Sequence, residues 1–137
     1  MISPINRLYF ENAAGRVEED TDGYVRLVYY PNPRQSLVWQ GLLQHTKHLL
    51  TRQGLGLMLI DQRRMPPFSS ADQNWLVEQW IPQAILEGGY RYGAIIQAED
   101  AFARLSMETV RTQARNSPLT YRYFQDEQSA VAWLLAQ

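Results

Sequence analysis

The sequence predicts an α/β fold: a mixed, mostly parallel sheet of two or three layers, opened by an antiparallel hairpin and carrying four helices. Three observations carry that expectation. Short β-rich runs alternate with segments of helical period from Arg34 onward. Residues 57–60 and 92–97 are almost continuously apolar, as in central strands covered on both faces. Asp22-Gly23 stands between two strand-like stretches, as in a tight hairpin. A chain of 137 residues suits one domain, so 1–137 is read as a single unit.

Residues 8–12 and 16–19 are short strand candidates around Ala13, Ala14 and Gly15, the first with more apolar content than the second. Asp22-Gly23 signals a type I′ turn, because Gly accepts the positive φ such a turn demands. Residues 24–30, rich in β-branched and aromatic side chains, pair back antiparallel. Pro31 and Pro33 lack an amide donor and end that ladder. Over 34–53 the apolar residues recur at helical spacing. Val38, Leu42, His45 and Leu49 form one stripe and Trp39, Leu43, Thr46 and Leu50 its neighbour, together wide enough to cover a sheet. Gly54 and Gly56 stop this helix.

The strand over 57–60 ends in Asp61 and leads through a polar, proline-bearing crossing to a second helix. That helix opens at Ser69 or Ser70, and Ser70 with Gln73 fits a capping box. At about 100° per residue, Leu76, Val77, Trp80, Ile81, Ala84 and Ile85 share the core face. Trp75, Gln79, Pro82 and Leu86 share the opposite one. Pro82 removes an internal hydrogen bond, at roughly 3 kcal/mol in a helix interior, so a kink or early break near Gln79 is expected. Gly88-Gly89 ends the helix. Asp100 caps a helix over 101–115, stopped by Asn116 and Pro118. Residues 119–124 alternate as a strand, with Leu119, Tyr121 and Tyr123 facing away from Thr120, Arg122 and Phe124. Asp126 caps a last helix through Trp133 and Leu135. Strands and helices alternating at these lengths call for right-handed crossovers.

Composition narrows the function classes. A net charge of −1 and a pI near 6.1 argue against nucleic-acid binding, which normally shows as a basic excess. The absence of Cys removes thiol catalysis, disulfides and Cys-ligated zinc together. No run approaches the roughly 18 apolar residues of a spanning helix, and the amino end lacks the apolar core of a secretory signal. The expectation is a cytoplasmic protein without membrane insertion.

Several stretches carry a resemblance: LIDQR at a strand end, FSSADQNWLVEQWIP opening the second helix, GYRYGAII, AFARLS and the closing YRYFQDEQSAVAWLL. In these the chain resembles the small STAS-like domains, the superfamily of sulphate-transporter and anti-sigma-factor-antagonist domains, and more closely an uncharacterised bacterial STAS-related branch. The resemblance spans most of the chain. Antagonists of that superfamily are switched by phosphorylation of a serine in an Asp-Ser-Gly type motif after the third strand. Ser70 falls about there, with Ser69 in place of the Asp and no Gly following. Lipid-transfer domains of the CRAL-TRIO type are similar in fold, and that likeness implies a hydrophobic-ligand reading.

Candidate sites follow from the residues. His45 and His48 are three apart, but no third ligand accompanies them, so a packed His45 and a solvated His48 are expected, with no metal or cofactor. Asp61 at a strand end, followed by Arg63 and Arg64, suits a carboxylate with guanidinium partners, or an anion held between the arginines and the amides near Ser69 and Ser70. The alternative is that Asp61 ties down the crossing. No nucleophile with a base, and no pair of carboxylates at identifiable spacing, points to an enzyme. The Trp75, Gln79, Pro82 and Leu86 stripe marks a contact surface if it is exposed; the last helix, a loop or the Pro82 kink would alter that. Trp39, Trp80 and Trp133 are expected in the core. The function expected is a non-catalytic STAS-like interaction or regulatory module, self-associating as a homodimer or docking a protein partner near Trp75. The alternative is binding or sensing of a small hydrophobic, lipid-like ligand under the second helix, motivated by the 12% aromatic content and Pro82.

Overall fold

The computed structural model describes residues 6–137. Six strands lie in one sheet in strict chain order: Arg7–Asn12 (β1), Gly15–Glu19 (β2), Val25–Tyr29 (β3), Leu57–Asp61 (β4), Tyr92–Ile96 (β5) and Thr120–Phe124 (β6). β1, β2 and β3 pair antiparallel, and β3 through β6 pair parallel. The helices are Ser36–Gln53 (α1), Ser70–Trp75 (α2), Ile81–Gly88 (α3), Ala101–Gln113 (α4) and Glu127–Leu135 (α5). A π turn over Leu76–Trp80 joins α2 to α3, so the described residues form four helical rods, and the α/β class with its antiparallel opening is as expected.

The alternation of side chains along the strands separates two cores. Leu27, Ile60 and Ile95 face the layer of α1, α2–α3 and α4, where Leu42, Ile81 and Val110 meet them. Leu59, Ala94 and Ile96 face α5, which buries Ala130 and Leu134 against them. The molecule is therefore three layers deep over β4 to β6. Buried indole nitrogens find partners: Trp39 donates to the Tyr29 hydroxyl at 3.2 Å and Trp80 to the Leu43 carbonyl at 2.6 Å. Trp133, expected in the core, is half-buried between Tyr92 and Phe124 at the rim of the α5 layer.

Three local expectations need correction. The hairpin turn is not type I′. Gly23 alone takes a positive φ, +95°; its amide donates to the Asp20 carbonyl, and the Asp20 amide donates to the Tyr24 carbonyl. This is a three-residue loop, a type I turn closed by a left-handed glycine. The Asp20 carboxylate accepts from the Asp22 amide at 2.9 Å and so holds Asp22 in its ordinary conformation. The cap of the second helix is Ser69, which accepts from the Asp72 amide at 3.1 Å, while the Gln73 side chain donates back to the Phe68 carbonyl. Ser70 is the first helical residue, and the Ser70–Gln73 box does not form.

The third concerns Pro82: the chain stays helical through it, and the irregularity expected near Gln79 is a π turn over Leu76–Trp80 rather than a break. The Ile81 amide reaches back five residues to the Leu76 carbonyl, and Pro82 sits in the first turn of α3. The wider turn takes up the ring and the missing donor. The weakly apolar β2 is also a full strand: Val17 is completely buried opposite Leu27, while Arg16 and Glu18 face the other way.

Tyr90 is almost fully buried beside Trp80, and its hydroxyl has no hydrogen-bond partner. It lies over Gly93, where a Cβ would collide with that hydroxyl and come within 2.7 Å of the Tyr121 ring. Gly93→Ala is expected to lower stability by about 1–3 kcal/mol through overpacking. Adding Tyr90→Phe should restore part of this, and Tyr90→Phe alone should cost nothing, since it removes an unpaired buried group. Urea midpoints of the three variants check this.

Candidate functional site

Asp61 closes β4 at the carboxyl end of the parallel strands, level with Val28 and Ile96. Ile60 points to the α1 side, so the pleat turns Asp61 toward the α5 face. Arg63 folds back onto it. Its Nε donates to Oδ1 at 3.0 Å, its Nη2 to Oδ2 at 2.8 Å, and its backbone amide to Oδ1 at 3.1 Å. Burial alone would raise the Asp61 carboxyl; the hydrogen bonds from Arg63 and the nearby Arg26 outweigh it and hold the group below the ordinary carboxylate value.

The arrangement does not stop at that pair. Arg26, buried in the middle of β3, donates through Nη2 to Glu127 Oε1 at 2.6 Å and lies 3.4 Å from Glu18. Glu127 is the first residue of α5 and is also 3.6 Å from Arg63. Glu18 in turn accepts from Arg16 at 3.0 Å. Arg16, Glu18, Arg26, Glu127, Arg63 and Asp61 thus form one chain of alternating sign whose charges sum to zero. It ties the amino end of α5 to β2, β3 and β4. Sequence reading found Asp61 and Arg63 because they are two apart, and missed Arg26, Glu18 and Glu127. The one available signal was a charged residue at the second position of the otherwise apolar run VRLVYY.

Arg64 is exposed and makes no ion pair among the described residues. Ser69 and Ser70 are exposed at the start of α2, on the opposite side of the sheet from the Asp61 carboxylate. The structure joins Asp61 to Arg63 and does not bring the two serines to them. The crossing between β4 and α2 is held instead by Arg34, which donates to the carbonyls of Pro66 and Pro67 and stacks 4.5 Å from the Phe68 ring. Two open polar cavities lie at the strand ends, one of about 220 Å³ beside Asp61, Arg63 and Arg64 and one of about 480 Å³ between Arg63, Gln97, Glu99, Arg104 and Gln125. Arg104 is already engaged by the carbonyls of Ala98 and Glu99. The strictly sequential strand order has no reversal, and a reversal is what splits neighbouring loops into a deep crevice in open α/β sheets.

The expected outer stripe of the second helix divides. The π turn inserts one residue, which rotates everything after it by roughly 100° relative to α2. Trp75 is half-buried, its ring edge-on to Trp39 at 5.3 Å. Gln79 and Pro82 are exposed, and Leu86 is 85% exposed. Pro82 and Leu86 rim an apolar cleft of about 390 Å³, floored by Val77, Ile81 and Ile85 and walled by residues 113–118. On α4, Phe102 and Leu105 are 72% and 65% exposed. Their signal was their place outside the Ala103, Ser106, Met107 and Val110 spacing that α4 buries. His45 stacks on the Phe10 ring at 3.8 Å, and His48 is exposed.

No family model, curated protein or solved structure matches the chain. Among the described residues, no helix is long and apolar enough to cross a membrane.

Asp61→Asn is expected to cost roughly 1–3 kcal/mol at pH 7 by removing the charged acceptor from Arg63. The Asp61 pKa is depressed in the folded state, so its contribution is complete above the unfolded value of about 3.9 and is lost as pH falls through the lower folded value. Urea midpoints of wild type and variant should therefore differ by a constant amount from pH 7 to pH 5. They should converge as the pH is taken below about 4.

Proposed function

We propose that this chain is a non-catalytic interaction module that self-associates through the outer surface of α3 and α4. The observation that carries the reading is the exposed apolar set Pro82, Leu86, Phe102 and Leu105, none of which the core needs. Exposed apolar side chains on the outer helical layer are a frequent mark of a contact site; Pro82 and Leu86 lie beside the carboxyl end of α4, and Phe102 and Leu105 in its first turns. Charge supports a second copy as the occupant. Exposed Arg111 and Arg115 lie on and just beyond α4, and exposed Glu78 and Glu87 lie along the second helix; Glu87 also lies 3.2 Å from Lys47 and Arg111 3.6 Å from Glu108. A two-fold axis running between α3 and α4, parallel to them, sets α3 of one copy against α4 of the other and so pairs opposite charges.

The non-catalytic part of the reading is supported by the closed state of the strand-end charges, in which Asp61 spends both oxygens on Arg63. Kinship with the STAS-like domains belongs to the same proposal and rests on the stretches quoted above. A cytoplasmic setting accords with the cysteine-free composition. Sedimentation velocity at tens of micromolar should give a dimer for wild type and a monomer for Leu86→Glu. Trp75→Glu, because Trp75 packs on Trp39, should lower the unfolding midpoint rather than dissociate a folded dimer. A wild type that stays monomeric at that concentration sinks the reading.

A second reading, a small hydrophobic ligand, is favoured by the cleft itself. Its 390 Å³ falls at the lower end of ligand-pocket sizes and it opens beside Pro82, between Ile81, Ile85 and Pro118. Native mass spectrometry of freshly purified protein decides it: an adduct of small-molecule mass supports the ligand, and the bare chain mass removes it.

A further inference from the structure

The two edges of the sheet are built differently. β1 is interrupted by a bulge, with the register slipping between Leu8 and Phe10, which blunts it as a template for another strand. β6 has no such device. It pairs with β5 without a slip from Thr120 to Phe124, contains neither Gly nor Pro, and is rich in Thr, Tyr and Phe. The Thr120 amide donates to the Arg91 carbonyl and the Phe124 carbonyl accepts from the Gln97 amide. By the alternation of a parallel ladder, Thr120, Arg122 and Phe124 turn their backbone groups to β5. Tyr121 and Tyr123 turn two amides and two carbonyls outward, and among the described residues β6 has no strand on that side.

A groove of about 440 Å³ opens beside the first residues of this edge, between Leu119, Thr120 and Tyr121 on one side and Glu108, Arg111 and Arg115 on or just beyond α4. An edge strand beside a helix is the geometry in which extended peptides dock by strand addition. The charge around it is positive. Arg122 projects to the opposite side of the strand from Tyr121 and is exposed; neither it nor Arg115 has a carboxylate partner among the described residues. Arg111 has only the exposed Glu108, at 3.6 Å. A second copy is a poor occupant, because the antiparallel register that pairs all five residues sets Arg122 directly across from its own copy, and like charges directly opposite destabilise a ladder.

We propose that the outer edge of β6, with the groove between β6 and α4, docks an extended acidic segment of a partner protein as a seventh strand. Side chains of such a strand alternate between Arg111 and Arg115 on one face and Arg122 on the other, so acidic residues at successive positions are all matched. This surface adjoins the α3–α4 surface assigned to self-association and shares Arg111 and Arg115 with it, whereas Arg122 and the outward amides of Tyr121 and Tyr123 belong to the β6 edge alone.

The test uses blocked eight-residue peptides of valine and threonine carrying glutamate, glutamine or lysine at their central positions, titrated by fluorescence anisotropy against wild type and Arg122→Glu. Arg122 is exposed, so the variant should fold, which far-UV circular dichroism verifies. In wild type the glutamate peptide should bind about tenfold more tightly than the lysine peptide, with glutamine between. In Arg122→Glu that order should weaken or reverse. Amide exchange at Tyr121 and Tyr123 should slow with the glutamate peptide bound. The proposal is overturned if no peptide binds, if the charge order is unchanged in the variant, or if protection appears elsewhere and not at these two amides. Arg122 lies outside the α3–α4 surface, so sedimentation of Arg122→Glu should match wild type, and a lost charge order with unchanged association separates this proposal from the self-association reading.

Discussion

Strands added one after another on the same side of a sheet, each through a right-handed crossover, must carry their connecting helices on one face. The run from β3 to β6 obeys that constraint, so α1, α2–α3 and α4 all stack together, and only α5, which follows the last strand, is left for the other face. A helix of nine residues is about 14 Å long and cannot cover six strands. It covers β4, β5 and β6, whose apolar residues on that side include Leu59, Ala94, Ile96 and Phe124. The hairpin half of the same face has no helix above it, and there the chain places Arg16, Glu18 and Arg26. The division of that face into an apolar half and a charged half is a direct consequence of the crossover hand.

The charged half does more than tolerate water. Arg26 is nearly as buried as the apolar residues around it, and removing a guanidinium from water costs several kcal/mol before any partner is counted. Glu127 at 2.6 Å and Glu18 at 3.4 Å offset that cost. Replacing a buried ion pair by apolar residues is often neutral for stability, so the consequence to look for is in register. A one-residue slip of β3 would drive Arg26 into the layer occupied by Leu27 and Ile60, with no partner in reach. At the same time Glu127 places a negative charge in the first turn of α5, where the helix dipole favours it, and fixes where that helix begins on the sheet. Within this chain of six, each charge already faces one of opposite sign, so Asp61 and Arg63 are occupied with each other. That is the physical reason for looking to the outer surfaces for function.

How much of this was legible in the sequence follows the range of each interaction. The buried strands around Ile60 and Ile95, the Asp100 and Asp126 caps, the two stripes of α1 and the opposite facing of Tyr121 and Phe124 all depend on offsets of a few residues, and all stand as read. The errors arose where a local pattern had two solutions separated by a small energy. An Asx contact from Asp20 selected a three-residue loop over a two-residue turn, and one serine replaced its neighbour as cap. At Pro82, a π turn replaced a break and moved Trp75 off the stripe it shares with Leu86 on an ideal wheel. The candidate site divides along the same line. Asp61 and Arg63 meet across two residues, whereas Arg26 and Glu127 meet across 101, and only the sheet order could bring them together.

Constraint is unevenly distributed across the molecule. On the β1 side, α1 is fastened to the hairpin by the Asn12 side chain donating to the Val38 carbonyl and by His45 stacked on Phe10, and the edge is bulged. On the β6 side the core is complete with Ala103, Met107 and Val110 of α4 and Ile81 and Ala84 of α3. Leu86, Phe102, Leu105, Arg115 and Arg122 lie outside it and contribute nothing that the interior requires. Ala114 lines both the apolar cleft against α3 and the basic groove against β6, so the two surfaces adjoin at the carboxyl end of α4. Residues freed from packing are the ones a sequence can spend on recognition without loss of fold. The fold thus concentrates its freedom on the side away from α1, where exposed apolar side chains, unpaired arginines and an unblunted edge strand come together.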